Sequence, residues 1–576
     1  MIQSVSELDF TPVGEIYPSP HDWRDHVIYE IMIDRFDNGH DGWKLFDPQE
    51  SPRHEIDLEQ ASRFQGGTIK GITRRLDYIR GLGATAIWIT PPMKNRQEDP
   101  TTFHGYGIQN FLEVDPRFGT MEELQELVRQ AHQRQMYVIL DVVINHSGDN
   151  WAYPNGQPYR YHKNEQFDFG YWRNAEGKPA GEEFGPDDAV WPVEFQDPES
   201  YNRRGEVGGG ASLHEDIMGD LCHLKDFDLT RPDIRDALIR CFKWWIAQTD
   251  CDGFRLDALK NARPKPSGIF VNAIREYTKS IGKHNFLMFA EVVGDDDMLT
   301  KFVGQNTPNP DDADDEEYPK LTAILDFPLY ADLEEVIKGS RAPSLLAERY
   351  ERFQHHYRDF GQVGGYFVTF IDNHDQAYRA HHRFMHGETD WRLVGLGMGY
   401  LLTAMGIPCI YYGTEQCFDG GGESDVFIRE TMFGGPAGAL GAAEGYHLFN
   451  DQHPAYRRIA QIAEIRQQHP VLRYGRQYFC RVSGDGQTFG PSEHPGGIFG
   501  YTRILDIDAM LIVLNVDQQP QSRYVEVDPT FMPPGTSLTD LLSGESLTVQ
   551  LAPNGQTTAA RVDLGERELA IFCCDS

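Results

Sequence analysis

The sequence predicts an α/β fold: a parallel (β/α)8 TIM barrel with a subdomain inserted after the third strand and a C-terminal antiparallel β-sandwich. Three observations carry that expectation. Short apolar runs alternate with helical segments from residue 27 to residue 413, and strand–helix alternation implies parallel strands. A stretch from 147 to about 225 is rich in Gly, Pro, Asp and aromatics and poor in helical period. Past residue 475 the pattern changes to short alternating segments such as "GIFGYTRI", "AMLIVLNV" and "ELAIFCC", with turn residues between them.

The candidate barrel strands, in order, are "VIYEIMID" (27–34), "ATAIWITP" (84–91), "MYVILDVVI" (136–144), "GFRLD" (253–257), "FLMFAEV" (286–292), "AILDF" (323–327), "YFVTFID" (366–372) and "IPCIYY" (407–412). Between them, Thr120 and Glu123 can form a capping box ahead of "MEELQELVRQAHQRQ", and Thr230 with Asp233 can start "RPDIRDALIRCFKWWIAQ". The expected organisation is an N-terminal extension (1–25), the barrel (26–146 and 226–475), the inserted subdomain (147–225) and the C-terminal β domain (476–576).

A chain of 576 residues exceeds what one hydrophobic core usually supports, so a large domain with smaller companions is expected. The formal net charge of -35 argues against nucleic acid as a partner, because binding a phosphate backbone depends on basic patches. Solvated loops such as "DDADDEE" at 311–317 are expected to carry the acid excess. Val394 to Gly413 is uncharged and long enough to span a bilayer, but Gly406 and Pro408 divide it into a helix ending near Met405 and a strand from Ile407 to Tyr412. No membrane association is expected. The eight cysteines form no CxxC pair and the N-terminal stretch lacks the basic and apolar regions of a secretory signal, which predicts a reduced, cytoplasmic protein.

Polar residues gather where the strands end. Asp141, Asn145 and His146 follow the third strand, Arg255 and Asp257 lie on the fourth, Glu291 ends the fifth, and Asp372, His374 and Asp375 end the seventh. In such barrels the C-terminal strand ends form the reactive mouth. Several carboxylates without a nucleophilic Ser or Cys motif suit either divalent-metal chemistry or a carboxylate pair acting on an acetal. Strand alternation puts Arg255 and Asp257 on one face, where the guanidinium favours an ionised Asp257. The apolar "FLMFA" before Glu291 and "VV" after it favour a neutral carboxyl there. One anion and one neutral acid are what a retaining glycosidase needs, with carboxyl groups about 5 Å apart.

Four motifs, "DVVINH" (141–146), "GFRLDALKN" (253–261), "FAEVVG" (289–294) and "FIDNHD" (370–375), resemble the signature regions of the α-amylase family of glycoside hydrolases and transglycosylases (glycoside hydrolase family 13), in the same order and on the same strands. The resemblance implies that Asp257 is the nucleophile, Glu291 the general acid/base, and Asp375 the carboxylate that grips sugar hydroxyls and stabilises the oxocarbenium-like transition state. It implies substrate contacts from His146 and His374, an aromatic platform from Tyr106 in "FHGYGIQNF", supporting roles for His104, Asp141 and Arg255, and a leaving-group-side contact from Lys260. Ala258 after the nucleophile resembles members acting on α-1,4 linkages, so starch-type glucans, maltooligosaccharides or cyclodextrins are the expected substrates.

The resemblance also implies a structural calcium, with Asn145 and Asp220 as candidate ligands, and no organic cofactor. Asn261 and Gly219 stand where many relatives carry His and Pro, and the loop "DNGHDG" after the first strand reads as a solvated turn rather than a second calcium loop. Insertion aromatics, among them Trp151, Tyr153, Tyr159, Tyr161, Tyr171 and Trp172, suit either a small core or sugar stacking. The expected activity is hydrolysis; a 4-α-glucanotransferase using the same site and an inactive glycan-binding relative are the alternatives.

Overall fold

The computed structural model describes residues 2–208, 213–303, 318–353, 357–358, 361–375 and 381–574. The acidic stretch at 311–317 lies outside the described residues. One sheet has eight strands: β1 (Ile28–Ile31), β2 (Ala86–Ile89), β3 (Tyr137–Val142), β4 (Gly253–Leu256), β5 (Leu287–Ala290), β6 (Ile324–Leu325), β7 (Phe367–Thr369) and β8 (Ile407–Tyr411). Their order is β5-β4-β3-β2-β1-β8-β7-β6, with the paired neighbours parallel. The N–H groups of Thr322 and Ala323 both donate to the Met288 carbonyl, at 2.8 and 3.2 Å, and bring the last strand of that order back to the first. The sheet is therefore a nearly closed (β/α)8 barrel.

β6 and β7 are shorter than their apolar runs suggest. Asp326 caps a helix, its carboxylate accepting from the Leu329 N–H, so Phe327 leaves the strand for Phe327–Ile337. The helix α1 (Met121–Gln133) starts with the expected Thr120–Glu123 capping box. Thr230 does not cap α2 (Pro232–Thr249): its hydroxyl donates to Asp228 instead, and Pro232 opens the helix from Arg231 without a side-chain cap. The uncharged segment divides as expected into α3 (Arg392–Thr403) and β8, and no helix among the described residues is long and apolar enough to cross a membrane.

Strand parity fixes what the barrel encloses. Ile28, Ala86, Trp88, Ile139, Leu287, Phe289, Val368 and Cys409 form one buried cluster, whereas the alternate residues Tyr29, Ile87, Val138 and Phe254 belong to the outer cluster that includes the helices' apolar faces. The inward parity continues to Glu30 on β1, Asp141 on β3 and Arg255 on β4, and runs on past the strand ends to Asp257 and Glu291. The charged site is thus the upper layer of the barrel's own interior.

At the C-terminal end, a six-stranded and a four-stranded antiparallel sheet share a core that includes Ile498, Leu511, Val525 and Phe572. This β domain packs directly on α3, where Gly399 permits the approach: a Cβ there would stand 2.4 Å from Leu569. Between β3 and α2, short strands His146–Ser147 and Lys225–Asp226 pair antiparallel and anchor the insertion to the barrel mouth.

Candidate active site

Register brings Arg255 level with Asp141 of β3 and Phe289 of β5. The guanidinium is fully buried and serves three carboxylates. Its Nη1 donates to both oxygens of Asp141 at 3.1 Å and to Asp257 Oδ1 at 2.7 Å, while Nη2 donates to Glu291 Oε2 at 2.8 Å. Backbone bonds continue beyond the strands, from Asp257 N–H to Val142 and from Glu291 N–H to Leu256, both at 3.0 Å, so the two side chains issue from rigid positions. Ala258 adopts a left-handed conformation (φ 46°), which costs a non-glycine residue about 1–2 kcal/mol. That turn aims its N–H at Glu291 Oε2, 3.3 Å away.

A second chain of bonds crosses from strand one to strand seven. Glu30 accepts from His374 Nδ1 at 2.6 Å, and His374 Nε2 lies 2.6 Å from the Tyr106 hydroxyl and 3.0 Å from Asp375 Oδ2. The Tyr106 hydroxyl donates to Asp141 Oδ2 at 2.8 Å, and the Trp88 indole N–H donates to the same oxygen at 3.1 Å. Tyr106 and His374 rings lie parallel, 5.6 Å apart. Gly105 places Tyr106 there: at φ 90° its missing Cβ would stand 2.4 Å from the Pro91 carbonyl. Arg429, from the loop after β8, holds Asp375 Oδ1 at 2.6 Å.

Asp257, Glu291 and Asp375 present one carboxylate oxygen each within 4.8 Å of the others, a cluster that could also hold a metal ion. They line a cleft of about 420 Å³ with His104, Tyr106, His146, Lys260 and Arg429. His146 is buried and bonded to the Tyr106 backbone, and its Nε2 is 3.9 Å from Asp257 Oδ2. Burial lowers His104 and His146 to about 3, keeping both neutral. His104 Nδ1 accepts from the Tyr106 N–H. Lys260 is paired at 3.4 Å with Asp216, whose carbonyl also receives the Asn261 amide.

The charge pattern corrects one expectation. Arg255 does not hold Asp257 in the ordinary carboxylate range, because burial outweighs a guanidinium that is shared with Asp141 and Glu291, and Asp257 is raised to about 6. Burial, against Arg255 and reinforced by the neighbouring carboxylates, raises Glu291 to about 7. Asp375 is the firmly ionised member: burial opposes its charge, but His374 and Arg429 hold it well below the usual range. His374 is raised to about 10, since Asp375 and Glu30 overcome its burial. It therefore stands as an imidazolium donating from both nitrogens.

Asp220, the candidate ligand beside Asn145, is bonded through both oxygens. Its Oδ2 accepts from the Tyr153 hydroxyl at 2.9 Å and faces the Lys225 ammonium at 3.5 Å, and its Oδ1 accepts from the Asp226 N–H at 3.3 Å. The Lys225 ammonium competes with a cation for Asp220, which turns the choice of carboxylate beside Asn145 toward Asp226. Asp226, next to Asn145, accepts from the Asn202 amide at 2.5 Å and from the Asn145 side chain. In "DNGHDG", Asp37 is taken by Arg75 at 2.5 Å and Thr68 caps a helix, as suits a turn. Trp151, Tyr153 and Trp172 are buried and pack on Phe169, Phe167 and Tyr201, which makes them insertion core.

Sequence reading missed Glu30, Trp88 and Arg429. A carboxylate in the middle of the apolar run "VIYEIMI" was a usable signal for the first; Arg429 lies in an irregular loop with none.

A (β/α)8 barrel with a carboxylate cluster at the C-terminal strand ends defines the class of fold and site. Residues 30–432 match the family model described as "Alpha amylase, catalytic domain", and the chain belongs to that family. It is 29% identical over 562 residues to a beta/alpha-amylase of Paenibacillus polymyxa, covering 96% of this chain and 38% of that one. It is 26% identical to a cyclomaltodextrin glucanotransferase of Geobacillus stearothermophilus, covering 95% and 67%. The chain thus spans well under half of the first relative's length. An Anoxybacillus α-amylase crystal structure shares the fold at a TM-score of 0.69 and 24% identity, covering 96% of this chain and 99% of that one.

Proposed function

We propose that the cleft binds α-1,4-linked glucans and cleaves them with retention through a covalent glycosyl-enzyme. The observation that carries this is the approach of Asp257, Glu291 and Asp375 within 4.8 Å, compatible with the roughly 5 Å carboxyl spacing of retaining glycosidases. Asp257 attacks the anomeric carbon as Glu291 passes its proton to the leaving oxygen. The Glu291 carboxylate then takes a proton from water, whose oxygen attacks the same carbon and releases Asp257. Asp375, fixed as an anion by His374 and Arg429, stabilises the cationic sugar ring. His146 lines the cleft within reach of sugar hydroxyls, and Tyr106 supplies the stacking face. Relatives named as amylases and glucanotransferases support the substrate class.

Glucan transfer is the second reading. Leu221, Leu224 and Val293 give the cleft an apolar wall near Lys260, which disfavours water as acceptor. A product time course from maltoheptaose, resolved by chain length, separates the two. Shorter products with rising reducing ends mean hydrolysis; longer products at constant reducing ends mean transfer. No turnover at all would sink both.

We also propose a structural divalent cation held by Asn145 and Asp226. Both are buried beside the strand pair at the end of β3, where Asn145 offers its amide oxygen and Asp226 a carboxylate oxygen, the ligand atoms that a hard cation selects. Its role there is to tie the end of β3 to the insertion.

A further inference from the structure

We propose a second carbohydrate-binding site on the outside of the barrel, against the C-terminal β domain; it rests on the α-glucan reading of the cleft. A cavity of about 330 Å³ lies between α3, helix α4 (Pro454–Gln468) and the turn joining strands Thr558–Leu564 and Glu568–Cys574. Gly395, Leu396 and Leu569 make its floor apolar. Gly395 keeps that floor low, since a Cβ there would come within 3.3 Å of Arg458 Cγ and 3.7 Å of Trp391 Cζ3. Trp391, half-buried where α3 begins, supplies an aromatic wall.

The acidic groups of the rim are already engaged. Arg392 pairs with Glu566 at 2.6 Å and Asp390 at 2.8 Å, Arg567 pairs with Asp390 at 2.9 Å, and Glu568 accepts from the Gly565 N–H at 2.5 Å. The Arg458 guanidinium and the Trp391 indole N–H have no hydrogen bond or ion pair among the described residues. The cavity therefore joins an indole and an apolar floor to unpaired donors. A pyranose ring matches that combination, with a C–H face for the indole and hydroxyl oxygens for the donors. A small anion would use Arg458 but not the indole, and it must approach a chain of net charge -35. The ligand class is a neutral α-glucan segment, and its capture raises the local concentration of polymer at the same molecule's cleft.

Native electrophoresis through soluble starch tests this in the Asp257→Asn chain, which leaves the polymer undigested. Trp391→Ala should weaken retardation about 5-fold and Arg458→Ala, at a half-buried position, about 2-fold, as loss of a stacking platform and of a hydrogen-bond donor would. In the active chain the same substitutions should leave kcat/KM on maltotriose within about 2-fold, because short substrates cannot bridge two sites. Retardation unchanged in both variants overturns the site, and retardation abolished by millimolar inorganic phosphate overturns its assignment to sugar. If the unaltered chain digests no α-glucan, the catalytic reading fails, while retardation lost on Trp391→Ala still upholds this site.

Discussion

Arg255 gives the site its chemistry by being shared. One guanidinium bonded to Asp141, Asp257 and Glu291 cannot lower them all, so burial sets the balance and leaves Asp257 near 6 and Glu291 near 7. The proposed mechanism requires Asp257 ionised and Glu291 protonated. That state is lost below about 6 as the nucleophile gains a proton and above about 7 as the acid loses one. A plot of kcat/KM against pH should be a narrow bell with its maximum between those values, reporting the coupled pair rather than either residue alone. Glu30 matters through His374. Glu30→Leu should cost about 10²-fold in kcat with a smaller change in KM, because Tyr106 and Asp375 lose their common anchor; Glu30→Gln, which retains an acceptor, should recover part of it. Motifs made Asp257, Glu291 and Asp375 legible in the sequence because each ends a strand of known parity. The sharing of Arg255 was hidden, since it depends on register between β3, β4 and β5, which no local spacing encodes.

Among the elements, the barrel strands were readable from apolar runs, and α1 from its capping box. The start of α2 was not, because Thr230 had a closer acceptor in Asp228. The insertion was the least readable part: its short strands carry no period, and the choice between Asp220 and Asp226 beside Asn145 turned on Lys225, which comes to Asp220 only in the folded chain. A chelator should lower the Tm of the unaltered chain by several degrees, with each kcal/mol of lost binding worth about 2 °C or less in a chain this large. Asp226→Asn should remove that sensitivity and Asp220→Asn should retain it. A Tm indifferent to the chelator in the unaltered chain would dismiss the cation.

Across the whole molecule, one parallel ring positions the carboxylates and the guanidinium at the centre of the site. Glu30, Asp141, Arg255, Asp257 and Glu291 come from four strands or their ends, and the insertion and the loop after β8 add His146's strand partner and Arg429. The proposed covalent mechanism requires such a fixed carboxyl spacing. The claim that Asp257 is the nucleophile is tested most directly by peptide mapping after reaction with a fluorinated α-glucosyl donor that forms the glycosyl-enzyme faster than it is hydrolysed. The account predicts one glycosyl group per chain, on the peptide containing Asp257 and absent from Asp257→Asn. Label on another carboxylate, or turnover of maltoheptaose by Asp257→Asn at the unaltered rate, would contradict it.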